Sequence, residues 1–188
     1  TNYENDNTSL PEVDYRLLAL FQYWNAIHYF YPYKELMDSD WDKTLHHFIP
    51  QFINAQTALQ YHLSFKALTS QLNDAHAFFQ SDIYEQFKGQ YYPPFLARSI
   101  EDKIVITKVL DSESNLQIGD IIETIDGYRI KELKDSLSPY IHASNDASFE
   151  RNFIDHILYN KEGFFIEKFV GEIKKSKLEN YIKASIEQ

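Results

Sequence analysis

Leu116-Gln117-Ile118-Gly119-Asp120-Ile121-Ile122-Glu123-Thr124-Ile125-Asp126-Gly127 packs two turn signals and a run of β-branched residues into one short segment. Gly119 can take a left-handed backbone that a side chain would resist. Asp120 can bond its own backbone just downstream. Ile121, Ile122 and Ile125 are β-branched and suit a pleated, half-buried surface. Asp126-Gly127 is a favoured dipeptide for a two-residue type I′ turn. The stretch therefore predicts a tight turn, a short buried strand and a hairpin.

Outward from it, the surrounding segments read as strands. Phe95–Ile100 and Lys103–Leu110 alternate like paired strands joined at Glu101-Asp102. Tyr128–Ile130 is the return strand, and Lys131–Leu137 a short helix ended by Pro139. Phe149, Phe153, Ile157 and Leu158 predict another helix, Phe164–Val170 a last strand, and Ser176 with Glu179 the cap of a terminal helix. Before Tyr91-Tyr92-Pro93-Pro94 the texture is helical. Leu17, Leu20, Phe21, Trp24, Ile27 and Tyr31 recur at helical spacing until Pro32 stops them. Ser39 or Asp40 caps a second helix carrying Trp41, Leu45, Phe48, Ile49 and Phe52, which Pro50 should kink or divide. Thr57 and Gln60 form a capping box for a third helix with Tyr61, Phe65, Leu68 and Leu72 on its apolar stripe. A helical turn is expected around Ile83–Phe87, closed by Gly89.

The fold class expected is α+β, a small helical bundle followed by a β-rich domain. The division expected is a polar leader at 1–13, a helical domain at 14–90, a β-rich domain at 91–170 and a C-terminal helix or linker at 171–188.

Composition narrows the partners. The chain has 188 residues, 44% of them hydrophobic, with 14 Tyr and 14 Phe, enough for a real core. A formal charge of −10 argues against nucleic acid, which needs clustered Lys and Arg. No cysteine is present, so disulfides, thiol nucleophiles and Cys-based metal sites are excluded. No apolar run approaches the roughly 18 residues that span a membrane. His28, His46, His47, His62, His142 and His156 form no His-Glu-x-x-His pattern, and no cofactor or metal is expected.

A second motif, Leu72-Asn73-Asp74-Ala75-His76, follows the third helix. Taken with Leu116–Gly127, its order and spacing resemble the carboxyl-terminal processing and tricorn-core serine peptidases. The resemblance covers most of residues 14–140. It implies a helical domain, then a PDZ domain, then an α/β catalytic domain. The aromatic first helix, Tyr23-Trp24-Asn25 and Tyr29-Phe30-Tyr31-Pro32-Tyr33, looks similar to a branch common in Bacteroidetes-type envelopes. A periplasmic or envelope location is what that likeness implies. In the tricorn-like branch the matching histidine is the general base of a serine nucleophile, which places the role on His76. A neutral imidazole is suited to it. That branch has a serine beside the histidine where this chain has Ala75. Other branches use a Ser-Lys pair, in which His76 is not the base. Without the resemblance, His76 orders its loop by bonding to backbone, with Asp74 capping the helix end. Leu116–Gly127 is then an ordinary hairpin of some other small domain.

The resemblance also implies what is lacking. After Gly127 the glycines are Gly163 and Gly171 only, and Ser136, Ser138, Ser144, Ser148, Ser176 and Ser185 lack a Gly-rich nucleophile turn. A base without nucleophile and oxyanion hole does almost nothing, so this chain is expected to be inactive alone. The function expected is the N-terminal region of a processing-type serine peptidase, positioning or gating a peptide for a catalytic domain. The alternative is a stand-alone peptide-binding or scaffolding protein of the envelope. A peptide or protein substrate is the expected partner. PDZ domains hold a terminal carboxylate with backbone N–H groups before the ligand-lining strand. Here Pro93 and Pro94 remove two donors, while Phe95 and Leu96 are the candidates to line an apolar slot.

Overall fold

The computed structural model describes residues 9–37, 40–74, 76–77, 79–88, 93–111, 116–125 and 127–158. The chain is α+β, with a helical part followed by small antiparallel sheets. It divides into two compact units, Thr1–Lys88 with Pro139–Phe149, and Gly89–Ser138 with Glu150–Gln188.

The first unit contains α1 (Val13–Phe30), α2 (Trp41–Asn54), α3 (Ala58–Ser70) and α4 (Asp82–Lys88). α1 ends at Phe30, and Tyr31 before Pro32 is extended, as a residue preceding proline prefers. α2 starts at Asp40, whose carboxylate accepts from the N–H groups of Asp42 and Lys43 at 2.9 and 3.2 Å. Pro50 does not divide α2, which runs through it to Asn54. Phe48 and Phe52 flank the proline at 2% and 0% exposure, and their burial offsets the missing N–H. α3 starts at Thr57, whose hydroxyl accepts from Gln60 N–H at 3.2 Å. The returning bond goes one residue upstream of the expected box: Gln60 Oε1 accepts from Gln56 N–H at 2.7 Å.

Leu20, Trp41, Phe48, Phe52, Tyr61, Leu68 and Leu72 form the core of this unit, with Tyr23, Trp24 and Phe65 packed against it. The aromatics meet edge to face, for example Phe52 with Phe65 at 5.1 Å and Phe52 with Tyr61 at 5.5 Å. The aromatic run of α1 is shared between core and solvent, since Phe30 is 84% exposed. Two cations are buried here. Arg16 donates to the carbonyls of Phe52 and Ala55 at 2.7 and 2.9 Å, satisfying the C-terminal end of α2. Lys66 lies 4.6 Å from the centre of the Tyr84 ring and ties α3 to α4.

The second unit holds β1 (Phe95–Ile100), β2 (Lys103–Val109), β3 (Ile121–Ile122), β4 (Thr124–Ile125), β5 (Tyr128–Arg129) and α5 (Ile130–Leu137). β1, β2 and β3 form one antiparallel sheet in that order, and β4 with β5 a separate hairpin. Ile100 pairs with Lys103 across Glu101-Asp102, whose φ of 51° and 60° make a type I′ turn without glycine. The register slips once, between Leu96 and Ala97. Val105 opposes Ile121, and with Ile100 these residues form a small core.

The segment Leu116–Gly127, with Tyr128 and Arg129, folds as a turn, a buried strand and a hairpin. Gly119 has φ of 100°, and Gly127 has φ of 80° between the paired Ile125 and Tyr128. Asp120 bonds upstream rather than downstream: its carboxylate accepts from Gln117 N–H at 2.8 Å. Gly119 N–H donates to Ile106 and Ile106 N–H donates to the Asp120 carbonyl, both at 2.9 Å, which extends the β2–β3 ladder into the turn. α5 starts where Glu132 accepts from the Arg129 backbone N–H at 3.1 Å.

α6 (Asp146–Leu158) starts at a polar knot in which Ser148 N–H donates to Asn145 Oδ1 at 2.8 Å. Further on, Phe153, Ile154 and Ile157 are buried. Gly89, Tyr91, Tyr92 and Asp126, and the strand and helix expected within 161–188, lie outside the described residues.

Candidate functional site

α3 ends by tightening. Gln71, Leu72 and Asn73 donate to Leu68, Thr69 and Ser70 at 3.2, 3.3 and 3.3 Å, a 3-10-like finish. Asn73 then takes φ of 49°, a left-handed conformation that asparagine tolerates. That reversal sets up Asp74, which folds the next residues around its carboxylate. Oδ1 accepts from His76 backbone N–H at 2.9 Å, and His76 Nδ1 stands 3.1 Å from the same oxygen. Ala77 N–H donates to the Asp74 carbonyl at 3.0 Å, closing the turn.

The other carboxylate oxygen faces Tyr31, the residue that follows α1. Tyr31 Oη lies 3.5 Å from Asp74 Oδ2, at the outer limit of a hydrogen bond. Tyr31 belongs to the residue layer packed on the helical core, and its own N–H donates to Ile27 at 3.0 Å. The His76 backbone N–H, first among several groups, holds the Asp74 carboxyl below its ordinary range. Burial, then the Asp74 charge, pushes the Tyr31 phenol up. So Asp74 stays ionised and Tyr31 stays a donor. The His76 side chain is 97% exposed beyond this turn. The arrangement is an anchored carboxylate holding one edge of a solvent-facing imidazole.

A second histidine contact lies deeper in the same unit. His62 Nδ1 bonds the Ser81 hydroxyl, which also accepts from Tyr84 N–H at 3.2 Å and so begins α4. Burial lowers the His62 pKa. The serine is committed to a helix cap, and the sequence carried no signal linking the two positions.

Phe95 and Leu96 belong to the second unit and do not share a face. Phe95 is 3% exposed and lies in the interior, whereas Leu96 is 52% exposed on the opposite side of β1. Pro94 carbonyl accepts from Leu110 N–H at 2.7 Å, so the strand entry is tied to the end of β2. A pocket of about 460 Å³ in this unit includes Lys103, Ile122, Arg129 and Lys131 in its lining and neither Phe95 nor Leu96. Among the described residues, no group of three His, Asp or Glu side chains could hold a metal ion, and no helix is long and apolar enough to cross a membrane.

No family model matches the sequence, and no curated protein does. Solved structures of mature CPAF have a similar fold. The structure of mature CPAF superposes with a TM-score of 0.58 at 12% identity, covering 82% of this chain and 30% of that chain. Mature CPAF complexed with lactacystin gives 0.58 at 11% identity with the same coverage. CPAF is a serine protease of the tail-specific type. At such identity the likeness is one of fold alone, and the chain spans less than a third of the structures it matches.

Proposed function

We propose that this chain is the N-terminal accessory region of a processing-type serine peptidase. Its helical domain (14–90) and PDZ-like domain (91–170) position or gate a peptide for a catalytic domain that supplies nucleophile and oxyanion hole. The observation that carries this reading is the fold likeness, which takes in 82% of this chain but 30% of the protease it matches. The Asp74–His76 pair adds chemistry to it. His76 is the candidate general base, held at one ring edge and open at the other.

Peptide contact is the weaker half of the proposed role. Pro93 and Pro94 at the strand entry remove two of the N–H donors that could meet a terminal carboxylate. Leu96 offers an apolar contact, and Phe95 shapes the strand from inside. The domain is therefore better suited to gating than to gripping a peptide terminus.

Reading the coding sequence downstream of Gln188 tests the proposal. A Gly-rich serine turn within an α/β domain supports it. A stop codon directly after Gln188 overturns it in favour of a stand-alone peptide-binding module.

A further inference from the structure

We infer that Asp74 is the positioning residue for His76, fixing the neutral ring as the Nδ1–H tautomer with the Nε2 lone pair turned to solvent. The inference rests on the reading of His76 as a base, and identifies which group orients it. An ionised carboxylate only accepts hydrogen bonds. Asp74 Oδ1 lies 3.1 Å from Nδ1, so the proton of a neutral ring belongs on Nδ1. The same oxygen accepts the His76 backbone N–H at 2.9 Å, which fixes main chain and ring against one atom. The remaining oxygen faces Tyr31 at 3.5 Å, and Tyr31 is packed on the helical core. The carboxylate thus sits between its own turn and Tyr31, although the imidazole is 97% exposed.

The chemistry follows from that placement. A base must present a lone pair to the proton it takes, and Nε2 is the nitrogen left bare. When Nε2 accepts a hydroxyl proton the ring becomes a cation with both nitrogens protonated. Asp74 then faces that charge at hydrogen-bond distance. The acid that orients the base comes from the same short loop, two residues before it.

Long-range proton–nitrogen spectroscopy of ring-labelled histidine tests this on the 188-residue chain, at a pH where the ring is neutral. His76→Gln identifies the His76 signals by their loss. The expected result is a protonated Nδ1 and a bare Nε2 in the native chain, and loss of that preference in Asp74→Asn. Tyr31→Phe, which keeps the carboxylate, retains the preference. A native His76 with its proton mainly on Nε2 overturns the inference. So does equal loss of the preference in both variants, because the carboxylate is then not its cause. The tautomer is read without any nucleophile. A stop codon after Gln188 would remove the peptidase reading and leave this result intact, whereas the wrong tautomer would remove the orientation by Asp74 alone.

Discussion

Trp24 and Trp41 exchange hydrogen bonds: the indole N–H of Trp24 donates to the Trp41 carbonyl at 2.9 Å, and that of Trp41 to the Trp24 carbonyl at 3.1 Å. The pair joins the middle of α1 to the first residue of α2 and closes the long connection between them. Replacing either by Phe removes one donor and leaves a gap. Each single change should cost about 1–3 kcal/mol. Urea denaturation of the two single variants and the double variant checks this. The double variant should be less destabilised than the sum of the singles, because the two bonds share one joint.

Arg16 is a second joint. It is 6% exposed and satisfies two carbonyls at the end of α2. Arg16→Met keeps much of the volume but leaves both carbonyls short of a donor. We expect a stability loss of about 2–3 kcal/mol, seen as a lower denaturation midpoint at unchanged slope. Loss below about 0.5 kcal/mol would show that water replaces the guanidinium without penalty.

Lys66 makes stability depend on pH in a definite direction. Burial, assisted by Lys88, lowers its pKa from 10.5 to about 8. The unfolded chain then binds a proton that the folded chain has released, in the window from about 8 to 10.5. Stability therefore rises with pH through that window. Between pH 7.5 and 9 the gain should be about 1 kcal/mol. Above pH 10 the buried tyrosines act oppositely: burial raises the Tyr23 phenol to about 12 and also pushes Tyr84 up, so ionisation favours the unfolded chain. Denaturation midpoints at pH 7.5, 8.25 and 9 test the rise, and Lys66→Met should abolish it.

The two hairpins differ in turn chemistry. Glu101 and Asp102 hold positive φ without glycine, whereas Gly127 meets the same demand freely. Converting Glu101-Asp102 to Asn-Gly should stabilise the protein by about 1 kcal/mol. Gly127→Ala should cost about 1–2 kcal/mol from backbone alone, since nothing lies within 4 Å of an added Cβ. Thermal or urea midpoints measure both.

Local signals carried much of the fold. Asp40 and Thr57 cap as their residue types predict, and Gly119 and Gly127 take the backbones that glycine permits. Pro50 did not divide α2 because the phenylalanines on either side are in the core, a tertiary fact invisible to a local rule. Arg16 and Lys66 were unreadable for the same reason. Both sit among helix residues where a cation normally faces solvent, and only the packed partners make them interior. At the candidate site, Asp74 and His76 were legible as a pair two residues apart. Tyr31 was not, because its link to Asp74 spans 43 positions. Leu96 and Phe95 were legible as apolar neighbours, but strand alternation sends them to opposite faces.

The proposed role of His76 is to serve a serine nucleophile carried by the same polypeptide. Fluorophosphonate labelling of the full encoded protein, with His76 intact or replaced by Ala, measures that role. The expected result is one labelled serine outside residues 1–188 and labelling slowed at least about 100-fold in His76→Ala. Labelling that is absent from the native protein, or equally fast without His76, would contradict it.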